Sequence, residues 1–271
     1  MIKLNTLELF SGTGSFSRVA KDYGHRIYTV DKSLRADILD PNRCDTGKVS
    51  KIVTKKFIDQ WFPKDSRGDG RVDICWASPP CEAFSVASMG KHWVDMRRFE
   101  DEQFRKDYPG YEIIPQPKSE SAKEGLNTLR DLCFRLRGII RPEIFFIENP
   151  RGMMRKVIDE VFEQTDLHNL SPYPIRRHTV TYCSYGDKRM KPTDIWTNHP
   201  TWEPRPMCHN YKYDKEGNII NRHCHHESAR RGAKTGTQGL KGARDRSRIP
   251  RDLFMEIFDA NPKDKQGFFI Y

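Results

Sequence analysis

Four times in its first 150 residues this chain runs an apolar stretch into a small, polar or proline-rich turn, and no other feature constrains the fold as tightly. Leu4 to Phe10 runs into Ser-Gly-Thr-Gly, and Arg26 to Val30 ends at Asp31. Val72 to Ala77 ends in Ser-Pro-Pro-Cys, and Glu143 to Ile147 ends in Glu-Asn-Pro. Helical segments lie between them, one from about Ser15 to Tyr23 and one over 124–140. In the second, Leu126, Leu129, Leu132, Cys133, Leu136, Ile139 and Ile140 recur with helical period. Strand, turn, helix, repeated, predicts a mostly parallel α/β sheet covered by helices. Ligand-binding residues in such sheets collect beyond the C-terminal ends of the strands, which makes these four turns the candidate site.

At 271 residues the chain can bury one sizeable core. No apolar run approaches the ~20 residues that span a bilayer. The N-terminus MIKLNTLELF carries no apolar stretch leading to a cleavage site. Seven cysteines without regular spacing fit a reduced intracellular protein better than a disulfide scaffold. A cytoplasmic monomer with no membrane partner is the expectation. The net charge is +10, and Arg222 to Arg251 holds nine Lys/Arg against two acids, seven of those ten charges in thirty residues. Such a stripe is the footprint of a polyanion, or else a solvated basic face. The glycines and threonines of AKTGTQGLKGAR favour a loop that offers backbone N–H groups to phosphates.

Periodicity fades after about Asn198 and returns near Ile249, where Leu253, Phe254, Ile257 and Phe258 share a helix face behind Pro250. Residues 1–198 therefore read as one domain to which 249–271 returns, and 199–248 as a short, basic, irregular lobe. Residues 86–118, with Trp93, Phe99 and Phe104, read as a long loop.

Each turn suggests chemistry. The Gly-rich turn after the first strand lets a ligand approach the backbone and aims a helix N-terminus at it. Asp31, one strand later, stands where acids of nucleotide-binding sheets accept ribose hydroxyls, so the pair suggests an adenosine-containing cofactor. In Ser78-Pro79-Pro80-Cys81 two prolines stiffen the backbone and remove two N–H groups, which sets the thiol on a rigid turn rather than in a core. Glu148 leaves an apolar strand, where it can donate or share a proton; capping the next helix is its plainer role.

These motifs together resemble the cytosine-C5 DNA methyltransferase family. LELFSGTGSFS is similar to its cofactor motif, SPPCEAFS to its PPCxxFS nucleophile motif, and FFIENPRG to its ENV motif with Pro150 replacing Val. Order and spacing agree over residues 4–198, and the chain looks closest to compact phage-type members. The resemblance implies a Rossmann-like, S-adenosylmethionine-dependent methyltransferase, with 1–198 and 249–271 as its catalytic domain and 199–248 as its target-recognition lobe, acting on double-stranded DNA, or by the same chemistry on RNA such as tRNA. A catalytically silent nucleic-acid-binding module is the reading from another class. The resemblance assigns Phe10, Ser11, Gly12, Thr13, Gly14, Ser15 and Pro79 to S-adenosylmethionine, Asp31 to its ribose, and Asp37 with Ile38 to its adenine. Cys81 becomes the nucleophile that attacks C6 of a flipped cytosine, and Glu148 the partner of N3 and the exocyclic amine. The family's QxRxR motif is absent; Arg189 and Lys191 stand near its place and are the candidates for contacts around the base or its phosphates. Ser247 to Pro250 is the candidate for closing the cofactor pocket.

The lobe carries Cys208-His209 and His223-Cys224-His225-His226. A small irregular lobe needs a staple, and a Cys/His cluster in a reduced protein suits zinc. Cys208, Cys224 and His226 are the first three expected ligands, with Cys183 completing a Cys3His set. The alternative is a polar loop whose histidines face nucleic acid.

Overall fold

The computed structural model describes residues 3–31, 43–44, 53–62, 71–94, 114–208, 211–213, 219–222, 226, 240 and 242–260. Its strands are β1 (Asn5–Leu9), β2 (Arg26–Val30), β3 (Arg43–Cys44), β4 (Ile74–Ala77), β5 (Trp93–Val94) and β6 (Gln116–Pro117). They continue with β7 (Ile144–Pro150), β8 (Arg176–Thr181), β9 (Pro192–Thr197), β10 (Tyr211–Tyr213) and β11 (Ile219–Arg222). Seven of them form one sheet in the order β3-β2-β1-β4-β7-β9-β8, while β5–β6 and β10–β11 pair separately. Pairing is parallel from β3 to β7, and β9 is antiparallel to both β7 and β8. Six strands thus share one direction and β9 runs against them, on a Rossmann-like, mostly parallel frame.

The helices are α1 (Ser15–Asp22), α2 (Lys55–Trp61), α3 (Met89–His92), α4 (Glu120–Arg135), α5 (Met154–Gln164), α6 (Ala243–Ser247) and α7 (Arg251–Asp259). They cover both faces of the sheet because alternate strand residues point to opposite sides. Phe16 and Val19 of α1 and Phe254 and Phe258 of α7 pack with Trp76 and Phe146 on one face. Phe57 and Ile58 of α2, Leu129 and Leu132 of α4, and Val157 and Val161 of α5 pack with Leu7, Leu9, Phe145 and Ile147 on the other. The expected parallel α/β architecture is the one observed.

The differences have local causes. The helix expected over 124–140 starts four residues earlier, at Glu120, because the Ser119 hydroxyl accepts from Ala122 N at 3.1 Å. Its last turn widens into a π-helical turn, Leu136–Ile140, that Arg141 ends at φ 46°. The strand expected to stop at Ile147 continues to Pro150, since β9 pairs with Glu148, Asn149 and Pro150. Glu148 therefore lies inside a strand rather than beyond its end. The loop expected over 86–118 contains α3 and the β5–β6 pair, with Phe99 and Phe104 outside the described residues. The lobe boundary expected at 198 falls within the packed region: Trp202 is fully buried against Phe146 and His178. His199 Nδ1 accepts from Trp202 N at 2.9 Å, and burial, with Arg176 nearby, pushes that imidazole down to about pKa 4. Among the described residues no helix is long and apolar enough to cross a membrane.

Candidate active site

Strand order reverses between β1 and β4, and the turns after those two strands line the crevice that results. The turn after β1 is held in an unusual backbone: φ is 56° at Phe10, 47° at Gly12 and 63° at Gly14. Phe10 is not a glycine, so its left-handed conformation costs about 1 kcal/mol and needs the surroundings to fix it. They do. Ser11 N donates to Val30 O at 3.3 Å, Gly14 N to Ser11 O at 2.6 Å, and Gly12 N to Asp31 Oδ2 at 2.6 Å. Asp31 thus clamps the turn with one carboxylate oxygen. Thr13 and Ser15 share a hydroxyl contact of 2.7 Å, and Ile249 N donates to Ser15 Oγ at 3.3 Å, which brings the segment ahead of α7 onto the same turn.

Beneath this turn lies Glu8, buried in β1. Its carboxylate accepts from Phe16 N at 3.4 Å, from Ser17 N at 3.0 Å and from the Ser17 hydroxyl. Burial pushes its pKa up to about 7, against the opposing effect of those hydrogen bonds. In the sequence Glu8 is marked only as an acid between Leu7 and Leu9. The Ser11 hydroxyl is buried with no hydrogen-bond partner among the described residues. A positive-φ turn, a helix N-terminus, a clamped acid and an orphaned hydroxyl fit a polar ligand of the adenosine-containing kind. Asp37 and Ile38 lie outside the described residues.

Across the crevice Pro79 is buried and Cys81 is exposed. The Cys81 carbonyl accepts from Phe84 N at 3.1 Å and Ser85 N at 2.9 Å, so the thiol rides on a closed turn. Asn149 Nδ2 donates to Pro79 O at 3.0 Å, and Met153 N donates to Phe84 O at 2.7 Å. Ser85 and Gly152 form an isolated antiparallel bridge. Gly152 is required there, because a Cβ would fall inside 3.0 Å of the Phe84 carbonyl oxygen and 3.3 Å from Val86 N. The Glu-Asn-Pro-Arg-Gly stretch therefore both carries Glu148 and fastens the cysteine turn to it. Protein around the Cys81 thiol pushes its pKa up; the Lys191 ammonium opposes this and the Glu148 carboxylate adds to it.

The loop between β8 and β9 supplies the third wall. Tyr182 is buried and its hydroxyl donates to Glu148 Oε1 at 3.1 Å. Lys191 Nζ lies 4.9 Å from the Tyr182 ring centroid and donates to Arg246 O at 3.0 Å. Burial holds the Lys191 pKa below its ordinary value, with the Glu148 and Cys81 charges pulling it back up. Arg189 does something else. Its guanidinium donates to both Asp187 carboxylate oxygens, to Asp245 O and Arg246 O at 3.0 Å each, and to Arg248 O at 2.8 Å. All five N–H donors are used within the chain, so in this structure Arg189 is a strut for 245–248 and offers none to a base or phosphate. Tyr182, like Glu8, is not singled out by the sequence; it lies in the TVTYC segment, next to Cys183.

Away from the crevice, Cys183, Cys208 and His226 come together, with their donor atoms all within 4.8 Å of one another. These residues are remote in sequence, and the structure gathers three of the four expected ligands. Cys224 lies outside the described residues.

No protein-family model matches the chain. It is 24% identical over 265 residues to a "Probable DNA (cytosine-5)-methyltransferase" of Frog virus 3 (isolate Goorha), covering 94% of this chain and 99% of the relative. A solved Spodoptera frugiperda DNMT2 mutant aligns with 16% identity and a TM-score of 0.46, over 75% of this chain and 53% of that one. A putative DNA modification methyltransferase encoded within an E. coli prophage aligns with 16% identity and a TM-score of 0.45, over 95% of this chain and 70% of that one. The chain thus spans about half the length of the insect structure. The resemblance to cytosine-C5 methyltransferases extends along nearly the whole of the viral relative.

Proposed function

We propose that this chain is an S-adenosylmethionine-dependent cytosine-C5 methyltransferase acting on double-stranded DNA. The observation that carries the reading is the pairing of an exposed Cys81, on a double-proline turn, with the strand bearing Glu148. Asn149 and Gly152 fasten the two, and Lys191 acts electrostatically on both. The basic 222–251 stretch and the viral relative named for DNA support duplex DNA as substrate.

The Phe10–Ser15 turn, Pro79 and Asp31 would hold S-adenosylmethionine, with the Ser11 hydroxyl available to it. Bound there, it supplies the methyl group. The protein's own part begins with a cytosine out of the stack, since neither thiol nor methyl donor reaches C5 inside a duplex. Cys81 Sγ gives its proton to water and adds to C6, a proton shared between Glu148 and N3 takes up the charge, and ring electrons move toward C5, which becomes nucleophilic. Glu148 holds N3 and the exocyclic amine through that shift, and the Tyr182 hydroxyl keeps the carboxylate oriented. After transfer, water takes the C5 proton, its electron pair re-forms the C5–C6 double bond, and the C6–S bond breaks to release Cys81 as thiolate.

Tritiated methyl transfer from S-adenosylmethionine to unmethylated duplex DNA and to tRNA, with sequencing of the product for 5-methylcytosine, tests the reading. Label at cytosine C5 in DNA is expected. Label on tRNA alone would replace DNA by RNA, and label on neither would refute the activity. In Cys81→Ala methyl transfer should vanish while S-adenosylmethionine still binds; undiminished transfer would sink the covalent mechanism.

A further inference from the structure

We propose that Cys183, Cys208 and His226 bind one zinc ion, which fastens the start of the recognition lobe to the edge of the catalytic sheet. Cys183 and His226 are buried and Cys208 is half-buried. The distance from Cys208 Sγ to His226 Nδ1 is 3.6 Å. A tetrahedral zinc with Zn–S of about 2.3 Å and Zn–N of about 2.05 Å sets sulfur and nitrogen about 3.6 Å apart. Two sulfurs around the same ion stand about 3.8 Å apart, within the 4.8 Å that encloses this cluster. No disulfide joins the two cysteines. Two thiolates and an imidazole select zinc over calcium or magnesium, which take oxygen ligands.

Hydrogen bonds of the chain itself also position two of the ligands. Cys208 N donates to Thr181 Oγ1 at 2.8 Å, Ser184 Oγ donates to Pro206 O at 3.0 Å, and Arg205 Nη1 donates to Ser184 O at 2.9 Å. These bonds lock the chain ahead of Cys208 against the 3-10 turn Tyr182–Tyr185 that carries Cys183. Cys183 directly follows Tyr182, whose hydroxyl reaches Glu148, so the ion holds the backbone behind that contact. Zinc binding itself does not depend on the methyl-transfer reading.

Elemental analysis of the full chain, purified without chelator or affinity histidines, is expected to give about one zinc per molecule. Cobalt in place of zinc should show thiolate-to-cobalt charge transfer and the visible bands of a tetrahedral site. Cys208→Ser and His226→Gln should each lose most of the metal, while Cys81→Ala, which removes the exposed thiol of the crevice, should keep it. Protein that stays metal-free after incubation with equimolar zinc, or that takes up cobalt without thiolate charge transfer, overturns the proposal on the wild-type chain alone. Unchanged metal content in Cys208→Ser and Cys183→Ser would do the same.

Discussion

Replacing Gly152 with alanine asks whether the contact between the cysteine turn and the strand of Glu148 sets the geometry of the site. The new methyl would sit inside 3.0 Å of the Phe84 carbonyl oxygen, 3.2 Å from its carbon and 3.3 Å from Val86 N. All three atoms are backbone, so no side chain can swing away and one of the two segments must retreat. Overpacking of this kind costs about 1–3 kcal/mol. Separation also stretches the 2.7 Å bond from Met153 N to Phe84 O, worth about 1 kcal/mol. The sum, roughly 2–4 kcal/mol, corresponds to a Tm lower by about 5–15 °C for a chain of this size. Phe84 and Ser85 close the Cys81 turn, so a retreat moves the thiol relative to Glu148. A misplacement near 1 Å costs on the order of 100-fold in kcat. Calorimetric S-adenosylmethionine binding should be nearly unchanged, because the turn after β1 does not touch Gly152. Gly138→Ala is the control: nothing lies within 4 Å of its added carbon, and its Tm should match or exceed that of the parent. Wild-type Tm and kcat in Gly152→Ala would show that the two segments do not set each other's position.

Two titratable groups give further tests. Lys191→Gln removes the positive charge that opposes burial at Cys81, so the thiol pKa should rise. The pH midpoint for alkylation of Cys81 by iodoacetamide, followed by mass spectrometry of its peptide, should move upward; an unchanged or lower midpoint would refute the electrostatic link. Glu8 holds its proton to about pH 7 in the fold, against an unperturbed value of 4.5. The unfolded chain releases that proton first, so Glu8's contribution to stability falls as pH rises through this window and levels off above it. Glu8→Gln does not titrate, and its stability relative to wild type should improve between pH 5 and pH 8, by up to about 3 kcal/mol. Urea unfolding at the two pH values measures the difference, and a pH-independent gap would refute the raised pKa.

The elements most legible in the sequence are those where local pattern and tertiary use coincide. Arg26–Val30 is a strand over the residues its β-branched pattern marked, and α1 and the body of α4 follow their apolar periods. Cys81 and Glu148 stand out because proline and charge interrupt apolar runs. What the sequence conceals depends on partners distant along the chain. The extension of β7 over Glu148 comes from β9, more than forty residues on. Arg189 looks like any basic surface residue until the carbonyls of 245, 246 and 248 are seen to fill its guanidinium. Gly152 looks like turn punctuation, since its need for a missing Cβ is created by Phe84. Trp202 sits in an aperiodic stretch, and only the exposed face of the sheet it covers explains its burial.

The reversal of β9 has a consequence for how freely the site can move. In a wholly parallel sheet each strand delivers only its last residue to the cleft, and the next strand begins a strand's length away, on the order of 20 Å for six residues. Here β8 ends at Thr181 and β9 begins at Pro192 as direct cross-strand partners, at the edge where β7 presents Glu148. Tyr182 and Lys191 therefore occupy a closed ten-residue loop, with both feet planted on sheet backbone at the same edge. Closing so short a loop over a formed hairpin leaves it little conformational entropy to lose. The Tyr182 hydroxyl and the Lys191 ammonium are thus carried at the ends of a hairpin rather than at the tip of a long arm.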